Sequence, residues 1–417
     1  MAEDLIQSIG SMMTERGVKR HEPGGWEYYS GYGANLYDWE LFFDAICLSY
    51  YSRGDLALNG LRWYLTAIGQ DGFVPRSLRP IELAGSPWSI FEDEEHCKPF
   101  LCQTALALMR VNCETAWLTA EDFARLRRYL GYWLTDLDRD GNGLSEWNSG
   151  PHSGCDTQFA RIGPWRSCYC EGVDLNCYLY RELLAAAELA GYLGLEDEAA
   201  HCRAQAGLKR ERIQALLWDE CEGFFFDRDS RTGGRIGVKS AAAFLTLWAG
   251  VADKEQAAVL VRRHLTNESE FWTPYPVASY ARTEAGYTQR YTPPPGSDPV
   301  RMLKEGHANW CGGMWPHWNY LIAHGLADYG YHDVAARVAA SLHAVVAADP
   351  GLHEWYDAET GRGCGMHPFY AGATALGAIL PTELKLGFNP MALGNPKDQL
   401  DIASVRRVMG TDSKIAR

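Results

Sequence analysis

The feature that most constrains the fold is a helical repeat of apolar residues. Five such residues share one face of a helix of about five turns: Leu175, Leu179, Leu183, Ala186 and Ala190. Comparable patterns recur along the chain, at roughly 3–16, 37–52, 56–69, 99–112, 120–136, 195–217, 238–250, 254–265, 315–328, 332–347 and 369–380. The sequence therefore predicts about a dozen helices.

The connections between these helices favour one all-α architecture. Most breaks are short and contain Gly, Asp or Pro, which favours antiparallel neighbours. Alternation typical of strands is scarce, and "GFFFDRD" at 223–229 is its best example. About a dozen helices without a Pro/Ser linker fit two concentric rings of six. We therefore expect a single (α/α)6 barrel (toroid) domain over 1–417, with 386–417 as a C-terminal covering tail.

Several loops are too long to be simple connections, and a toroid gathers such loops at one mouth. They lie at 22–36, 72–98, 139–172, 267–314 and 349–368, and all are rich in Trp, Tyr, His or acidic residues. Loops of this length within a compact domain are usually functional. We therefore expect the functional residues on these mouth loops.

Composition argues against two classes of partner. The formal net charge of −14 and the lack of a basic run argue against nucleic acid. No apolar run reaches the roughly 18 residues of a membrane span, and the acidic, amphipathic start differs from a signal peptide. The cysteines are scattered, lack metal-site spacing and lie mostly in apolar helical patterns. We therefore expect free, buried thiols and a cytoplasmic location.

An excess of aromatic residues indicates the kind of ligand. The chain has 15 Trp and 22 Tyr, and many of them lie near Asp, Glu, Asn or His. Aromatic rings stack on the C–H faces of sugars, while fixed polar groups bind the hydroxyls. A small-molecule carbohydrate is therefore the expected partner. The sequence does not specify an oligomeric state.

Two acids stand out on the predicted mouth loops. Asp156 lies between small-residue turns in "SGPHSGCDTQFARIG", and Glu354 lies in "LHEWYDAETGRG". Glycoside hydrolysis needs two such carboxyls, one to protonate the leaving oxygen and one to activate a nucleophile. The residues alone leave an alternative open, in which Asp156 caps a helix and Glu354 is a solvated loop acid.

Four stretches together resemble the α/α-toroid glycosidases that include processing α-glucosidases, trehalases, and the bacterial mannosylglycerate and glucosylglycerate hydrolases. "NLYDWELFFDAI" is similar to their early Trp-Asp segment, and "SGCDTQFAR" to the loop that carries their general acid. "NWCGGMWPHWNYLIAHGL" resembles their Trp-Arg-Gly-Pro segment, and "HEWYDAETGRG" resembles the loop with their general base. The resemblance spans roughly residues 30–380, and four motifs in this order are specific.

The resemblance implies an inverting glycosidase in which Asp156 is the general acid and Glu354 the general base. In such an enzyme the two carboxyls are roughly 6.5–9.5 Å apart, which leaves room for a water at the anomeric carbon. Asp156 is then expected to be protonated near neutral pH, in a pocket that is partly desolvated or close to other negative charge. Tyr356 or His353 is expected to help keep Glu354 ionised.

Departures from the family pattern concern the substrate rather than the two acids. Glu40 stands where the family has Asp, and Cys311 stands where it has Arg. "TQFAR" replaces the family's "NSPR", so Arg161 lies one position further from Asp156. The sequence therefore leaves the substrate open among small α-glucosides and α-mannosides, for example glucosylglycerate or mannosylglycerate.

The remaining candidates are predicted to bind the substrate. Stacking is the expected role of the aromatic candidates, with core packing as the alternative: Tyr37, Trp39, Trp310 and Trp315. Polar contacts to the sugar or its aglycone are expected of the others: Glu40, Gln158, Arg161, Gln289, Arg290, His317 and Tyr356. A simple exposed charge is the alternative for Arg290, and a structural hydrogen bond is the alternative for His317. A glycerate aglycone would need a cation, which Arg161 or Arg290 could supply.

No metal ligand and no cofactor are expected. The stretch "DLDRDGNGLSEW", residues 136–147, opens like a calcium-binding loop. Its last position is Trp147 and Glu146 comes one position early, whereas a calcium loop ends on a bidentate Glu. An Asx-rich turn without an ion is therefore favoured over a calcium site.

Two other functions remain compatible with the sequence. A sugar epimerase or isomerase on the same toroid would use histidines of the mouth loops: His152, His307, His317, His353 and His367. Such an enzyme would stay largely active without Asp156 or Glu354. A non-catalytic relative would bind sugar through its tryptophans and turn nothing over, and the presence of both acids argues against it.

Overall fold

Helices dominate the computed structural model, which describes residues 2–22, 24–79, 94–112, 116–163, 168–290, 309–349, 351–369, 371–394 and 401–411, without the side chains of residues 2, 3 and 112. The α-helices are α1 (Ala2–Ser11), α2 (Asp38–Tyr50), α3 (Gly54–Ala67), α4 (Leu101–Asn112), α5 (Ala120–Thr135), α6 (Gly150–Ser153), α7 (Phe159–Ile162), α8 (Val173–Tyr192), α9 (Glu196–Leu217), α10 (Leu245–Ala249), α11 (Lys254–Val259), α12 (Pro316–Asp328), α13 (His332–Ala348), α14 (Gly372–Leu376), α15 (Leu380–Leu386) and α16 (Ile402–Met409). Ala241–Phe244 is a 3₁₀-helix, and Met12–Arg16 and Leu260–Leu265 are π-helical.

The strands are short and pair in small antiparallel sheets. They are β1 (Val18–His21), β2 (Trp26–Tyr29), β3 (Leu36–Tyr37), β4 (Ser77–Leu78), β5 (Cys170–Glu171), β6 (Trp218–Asp219), β7 (Phe224–Phe225), β8 (Asp227–Asp229), β9 (Arg235–Ile236), β10 (Trp355–Tyr356) and β11 (Gly363–Cys364). The sheet orders are β1-β2, β3-β4, β5-β8-β9, β6-β7 and β10-β11. In the last of these, Trp355 pairs with Cys364 and Tyr356 pairs with Gly363.

The predicted helices are confirmed, with two adjustments. The helix expected at 238–250 starts with the 3₁₀ segment and ends at Ala249, because Gly250 adopts a left-handed φ of 72°. The helix expected at 369–380 is shorter, since α14 ends at Leu376 and α15 begins only at Leu380. The strand signal at 223–229 is confirmed by β7 and β8.

The chain divides into two compact units. The first unit comprises Met1–Asp136, Tyr178–Leu208 and Tyr370–Arg417, and the second comprises Leu137–Cys177 and Lys209–Phe369. Both of the acids singled out in the sequence, at 156 and 354, belong to the second unit.

Helix α2 is central to the first unit, where it packs against α3, α4 and α14. All of its residues are buried. Gly372 permits the close approach of α14, because a Cβ atom there would lie 2.6 Å from the backbone nitrogen of Asp44. Arg406 on α16 donates from Nε to the carbonyl oxygen of Ser49 at 3.1 Å. The last described helix therefore packs against α2 within the first unit.

A buried ion pair joins the start of α2 to the segment before α4. Lys98 Nζ lies 3.2 Å from Asp38 Oδ1, and both side chains are fully buried. The backbone N–H of Lys98 also donates to Asp38 Oδ2 at 2.9 Å. Burial, followed by the charge of Arg76, lowers the pKa of Lys98. Each charge of the pair therefore depends on the other for compensation.

Helix α12 is the buried centre of the second unit and packs against α10 and α13. Gly325 makes the contact with α10 possible, because a Cβ atom there would lie 2.3 Å from the backbone nitrogen of Trp248. Pro316 occupies the first turn of α12, where its missing N–H is no loss. This start fixes the position of the segment that precedes the helix.

The described helices and cysteines bear on two expectations from the sequence. In the described part of the chain, helices long and apolar enough to cross a membrane are absent. All the described cysteines are free thiols, and most of them are buried. The prediction of free thiols is therefore confirmed for the described residues, and Cys113 lies outside them.

Replacing Lys98 by Met is expected to destabilise the protein by about 3–5 kcal/mol, because Asp38 becomes a buried charge without a counter-ion. Urea unfolding followed by circular dichroism measures the change in unfolding free energy. Lys385 is exposed, so the control Lys385→Met is expected to stay within about 0.5 kcal/mol of the native protein. Similar small effects of the two substitutions would contradict this role of the ion pair.

Candidate active site

Asp156 lies on a tight loop between α6 and α7 and is half-buried. Ser149 is the N-cap of helix α6, and its side chain accepts the backbone N–H of His152 at 3.0 Å. Gly154 is the C-cap and has a left-handed φ of 77°. Ser153 Oγ then accepts the N–H of Cys155 at 2.9 Å. Local hydrogen bonds therefore fix the backbone that presents Asp156, and Asp156 does not serve as the N-cap of either helix.

The loop of Asp156 is hydrogen-bonded to a distant stretch, residues 309–315, which we call the bridging segment. The backbone N–H of Trp310 donates to Thr157 Oγ1 at 2.8 Å. Gln158 Nε2 donates to the carbonyl oxygen of Trp310 at 2.7 Å. The Cys311 thiol donates to the carbonyl oxygen of Thr157 at 3.0 Å. The residues next to Asp156 are therefore fixed by backbone and side-chain bonds to this segment.

Arg161 lies on α7 and is fully buried in a network with two carboxylates. Its Nη2 lies 2.6 Å from Asp174 Oδ1, and its Nε donates to Asp227. Its Nη1 donates to Gln158 Oε1 at 3.0 Å. Burial raises the pKa of Asp227, and the charge of Arg161 opposes that shift. All three guanidinium nitrogens therefore bind protein groups and hold the end of the Asp156 loop.

Glu354 immediately precedes β10 and is only 9% exposed. Its backbone N–H donates to the carbonyl oxygen of Met366 at 3.1 Å, and the N–H of Met366 donates to Glu354 Oε2 at 3.0 Å. Gly365 has a φ of 75°, and a Cβ atom there would lie 2.6 Å from Glu354 Oε2. The β10-β11 hairpin therefore leaves space for this carboxylate and orients it through a backbone donor.

The hairpin of Glu354 is attached to the same bridging segment as the loop of Asp156. The N–H of Met314 donates to the carbonyl oxygen of Tyr356 at 2.7 Å, and the N–H of Tyr356 donates back at 3.0 Å. Asp156 and Glu354 are far apart in sequence, but the loops that carry them bond to opposite ends of one short segment. The structure therefore brings these two loops together through residues 309–315.

The tryptophans of the bridging segment pack on one another. The rings of Trp310 and Trp315 are stacked with centroids 3.8 Å apart and an interplanar angle of 6°. Trp355 is stacked against Trp315 at 6.5 Å. All three side chains are at most 3% exposed. The structure therefore shows the packing contacts that were the alternative to sugar stacking for Trp310 and Trp315.

His317 and Tyr356 are both buried beside this group. The ring of His317 lies 6.2 Å from that of Trp315. The hydroxyl of Tyr356 accepts the backbone N–H of His353 at 3.3 Å. Burial raises the pKa of Tyr356, so this phenol is neutral.

Gln289 and Arg290 differ in their surroundings. Gln289 Nε2 donates to the carbonyl oxygen of Gly312 at 2.8 Å and to the hydroxyl of Tyr287 at 2.9 Å. Its Oε1 accepts the N–H of Ala358 at 3.0 Å. Arg290 is exposed. Gln289 therefore links the bridging segment to the loop after β10, whereas Arg290 faces solvent at the end of a described range.

The other predicted binding residues belong to the first unit. Trp39 is 6% exposed, and Lys98 Nζ lies 4.8 Å from its ring centroid. Tyr37 is half-buried in β3. Glu40 is buried on α2, one turn before Asp44. Burial and then the charge of Glu40 raise the pKa of Asp44 well above its ordinary value.

Sequence reasoning missed two polar residues. Asp44 could have been found, because it follows Glu40 by four positions and a helix places both on one face. Tyr280 carries no such signal. It is 2% exposed, and its hydroxyl has no hydrogen-bond partner among the described residues. Burial raises its pKa. The preceding residue, Ser279, donates from Oγ to the carbonyl oxygen of Trp310 at 2.9 Å, so the chain at Tyr280 lies beside the bridging segment.

The loop at 136–147 forms the Asx-rich turn expected from its sequence. The N–H of Gly143 donates to Asp138 Oδ2 at 3.0 Å, and the N–H of Asn142 donates to Asp140 Oδ1 at 3.2 Å. Arg228 Nη1 lies 3.2 Å from Asp140 Oδ2. Lys209 Nζ donates to the carbonyl oxygen of Gly143 at 2.8 Å. Side-chain cations therefore supply positive charge at this loop.

The histidines that an isomerase would use make different contacts in the structure. His152 is buried, and its Nδ1 accepts the N–H of Asn148 at 3.1 Å. His353 and His367 stack on each other with centroids 4.0 Å apart. His307 lies outside the described residues.

Comparison with known proteins identifies relatives of this chain. The family model for the mannosylglycerate hydrolase MGH1-like glycoside hydrolase domain matches residues 33–371. Mannosylglycerate hydrolase from Thermus thermophilus is 33% identical over 197 residues, which are 47% of this chain and 41% of that protein. A probable trehalase from Saccharomyces cerevisiae is 31% identical over 198 residues, which are 45% of this chain and 23% of that protein. The matched stretches span less than half of these relatives.

Solved structures show the same fold. GH63 mannosylglycerate hydrolase from Thermus thermophilus in complex with glucose has a TM-score of 0.67 at 21% identity, covering 88% of this chain and 98% of that chain. Neutral trehalase from Saccharomyces cerevisiae has a TM-score of 0.60 at 17% identity, covering 90% of this chain and 79% of that chain. At these identities the likeness concerns the fold alone.

Replacing Thr157 by Val is expected to destabilise the protein by about 1–3 kcal/mol, because the buried N–H of Trp310 loses its acceptor. Urea unfolding measures the loss, and hydrogen exchange at the Trp310 amide is expected to become faster. Thr157→Ser keeps the hydroxyl and is the matched control. Unchanged exchange at Trp310 in the Val variant would show that this bond does not hold the loop.

Replacing Asp44 by Asn is expected to stabilise the protein more as pH rises. The folded-state pKa of Asp44 is raised. The contribution of Asp44 to the free energy of unfolding is therefore fully present below about pH 4 and is lost as the pH rises through the folded-state pKa. Asn stays neutral and can still accept the N–H of Gly372. Urea unfolding between pH 4 and pH 8 measures the difference, with exposed Asp197 changed to Asn as control. A difference in unfolding free energy between Asp44→Asn and the native protein that does not vary with pH would refute the raised pKa of Asp44.

Proposed function

Because the chain belongs to the mannosylglycerate hydrolase MGH1-like glycoside hydrolase family, we propose that it is an inverting glycosidase that cleaves a small α-glycoside. The proposed substrates are α-glucosides or α-mannosides, for example glucosylglycerate or mannosylglycerate, and the proposed reaction uses no cofactor. One observation carries the proposal: the loop of Asp156 and the hairpin of Glu354 are hydrogen-bonded to the same bridging segment.

Asp156 is the proposed general acid, which protonates the glycosidic oxygen as the bond to the leaving group breaks. Its side chain is half-buried, which suits a group that must meet a substrate. Partial desolvation favours the protonated form of a carboxyl group. The hydroxyl of Tyr280 is buried without a hydrogen-bond partner among the described residues, and Tyr280 follows Ser279, which bonds to the bridging segment. This hydroxyl is proposed to donate a hydrogen bond to the substrate.

Glu354 is the proposed general base, which takes a proton from the water that attacks the anomeric carbon. The N–H of Met366 donates to its carboxylate at 3.0 Å, and such a bond favours the ionised form. Gly365 leaves the space that the carboxylate occupies, because a Cβ atom there would lie 2.6 Å from Glu354 Oε2. Inversion requires room for this water, with the carboxyls roughly 6.5–9.5 Å apart.

Several predicted binding residues are proposed to position the site rather than to contact the sugar. Arg161 and Gln158 are engaged by protein partners next to the acid loop, and Gln289 is engaged by Gly312 and Ala358. The exposed Arg290 is the proposed cation for an acidic aglycone.

Sugar binding by the remaining candidates is proposed from their places in the family motifs: Tyr37, Trp39, Glu40, Trp310, Trp315, His317 and Tyr356. The proposed scaffold for all of them is the (α/α)6 barrel, as one catalytic domain over 1–417. The confirmed helices and the likeness to the fold of the Thermus enzyme support that scaffold.

Asp156→Asn and Glu354→Gln are each expected to lower kcat by about 10²–10⁴-fold, because each removes one proton-transfer group. Proton NMR of the anomeric signals measures release from a panel of α-glucosides and α-mannosides that includes both glycerates. The native protein is expected to release the β-anomer first. Glu211 lies on α9 and is exposed, so Glu211→Gln is the control that should keep native activity.

The other outcomes identify the alternatives. Equal release by the native protein and both variants would remove Asp156 and Glu354 from the mechanism. Initial release of the α-anomer would exclude inversion. Conversion of a free sugar without hydrolysis, retained in both variants, would indicate an isomerase. Saturable binding of a panel sugar without any turnover would indicate a non-catalytic relative.

A further inference from the structure

Three side chains with metal-ligating atoms converge beside the hairpin of Glu354. His353 Nε2 lies 3.0 Å from Asp349 Oδ2, and His367 Nε2 lies 3.9 Å from the same oxygen. One ligand atom from each of the three residues lies within 4.8 Å of the others. Two ligands bound to one tetrahedral ion through bonds of about 2.0–2.1 Å are about 3.3 Å apart. The observed separations bracket that value.

The hydrogen bonding of His367 suits a metal ligand. Its Nδ1 lies 2.9 Å from the carbonyl oxygen of Leu352, which can only accept a proton. Nδ1 therefore carries a proton, which leaves Nε2, the nitrogen 3.9 Å from Asp349 Oδ2, as the atom that can bind an ion. A backbone carbonyl that fixes the tautomer in this way is the usual second partner of a metal-bound histidine.

Both imidazole rings lie directly on glycine backbone. A Cβ atom at Gly351 would lie 2.4 Å from Cε1 of His367, and a Cβ atom at Gly363 would lie 2.1 Å from Cδ2 of His353. Any larger residue at either position would displace a ring. The chain therefore leaves space for the two rings side by side, with their Nε2 atoms next to one carboxylate.

We propose that Asp349, His353 and His367 form a binding site for a divalent transition-metal ion, with Zn²⁺ as the preferred ion. Two imidazoles and one carboxylate suit Zn²⁺ better than Mg²⁺ or Ca²⁺, which favour oxygen ligands. The side chains of Asp349 and His367 are 47% and 40% exposed, so an ion can enter from solvent. A water molecule completes the coordination.

Binding requires one of the two rings to rotate. They are stacked at an interplanar angle of 12°, whereas each lone pair points along its own ring plane. The exposed ring of His367 therefore turns toward the ion, and the more buried ring of His353 keeps its place on Gly363. The cost of this rotation makes the site weaker than a preformed three-ligand zinc centre.

A bound ion is expected to cross-link the two ends of the β10-β11 hairpin and so to stabilise it. Asp349 and His353 precede β10, and His367 follows β11. An ion shared by them ties the two ends of the segment together, and ligands that bind only the folded state stabilise it. This inference goes beyond the proposed hydrolysis and does not depend on it.

The test is a titration of the chelator-treated, dialysed full chain with zinc chloride, using isothermal calorimetry and thermal unfolding. The native protein is expected to bind one equivalent and to show a higher Tm with Zn²⁺ present. His367→Ala and Asp349→Asn are each expected to weaken binding at least about tenfold. Visible absorption bands of a tetrahedral Co²⁺ complex in the native protein, weakened in both variants, are the second readout.

The controls separate this site from incidental binding. His201 is an exposed histidine on α9, and Cys221 is an exposed thiol. His201→Ala and Cys221→Ser are expected to bind Zn²⁺ like the native protein. Absence of stoichiometric binding, equal affinity in His367→Ala, or loss of binding in Cys221→Ser alone would each overturn the proposal. Circular dichroism confirms that every variant compared is folded.

Discussion

The bridging segment at 309–315 is the constraint on which the rest of the candidate site depends. A buried backbone N–H or carbonyl oxygen needs a partner, and this segment finds its partners on two other loops. Trp310 bonds to Thr157 and Gln158 on one side, and Met314 bonds to Tyr356 on the other. The relative placement of the two loops is therefore set largely by bonds to the main chain of this segment. Main-chain bonds of this kind do not depend on the identity of the side chains in the segment.

Space for this arrangement comes from glycine at a few positions. A Cβ atom at Gly312 would lie 2.6 Å from the carbonyl oxygen of Thr288, and one at Gly313 would lie 2.7 Å from the Trp355 ring. Gly365 has the same role for the carboxylate of Glu354. The second glycine of the pair is explained by the close approach of the Trp355 ring.

The sequence predicted the helices because most of them bury one face, and burial of one face leaves a periodic apolar pattern. Helix α2 is an exception, since it is buried on every side. It predicted the family from four motifs, and the family model confirms that resemblance. It did not predict helix α6 or the β1-β2 hairpin, since four residues are too few to show a period. It also did not predict that Arg161 is enclosed by Asp174 and Asp227, because residue types and spacing do not show which distant acids will surround a cation. Asp44 was within reach of the helical spacing rule, whereas the buried hydroxyl of Tyr280 depends on tertiary packing alone.

The cluster of Asp349, His353 and His367 shows how one short segment can serve two purposes. The register of the hairpin is set by the main-chain bond from the N–H of Glu354 to the carbonyl oxygen of Met366 and by the strand pair of β10 and β11. Those bonds also fix where His353 and His367 emerge, because each residue is next to one end of the Glu354–Met366 pair. An ion held by the two rings would therefore reinforce a register that the backbone already adopts. It would not need to move Glu354, whose carboxylate is oriented separately by the N–H of Met366.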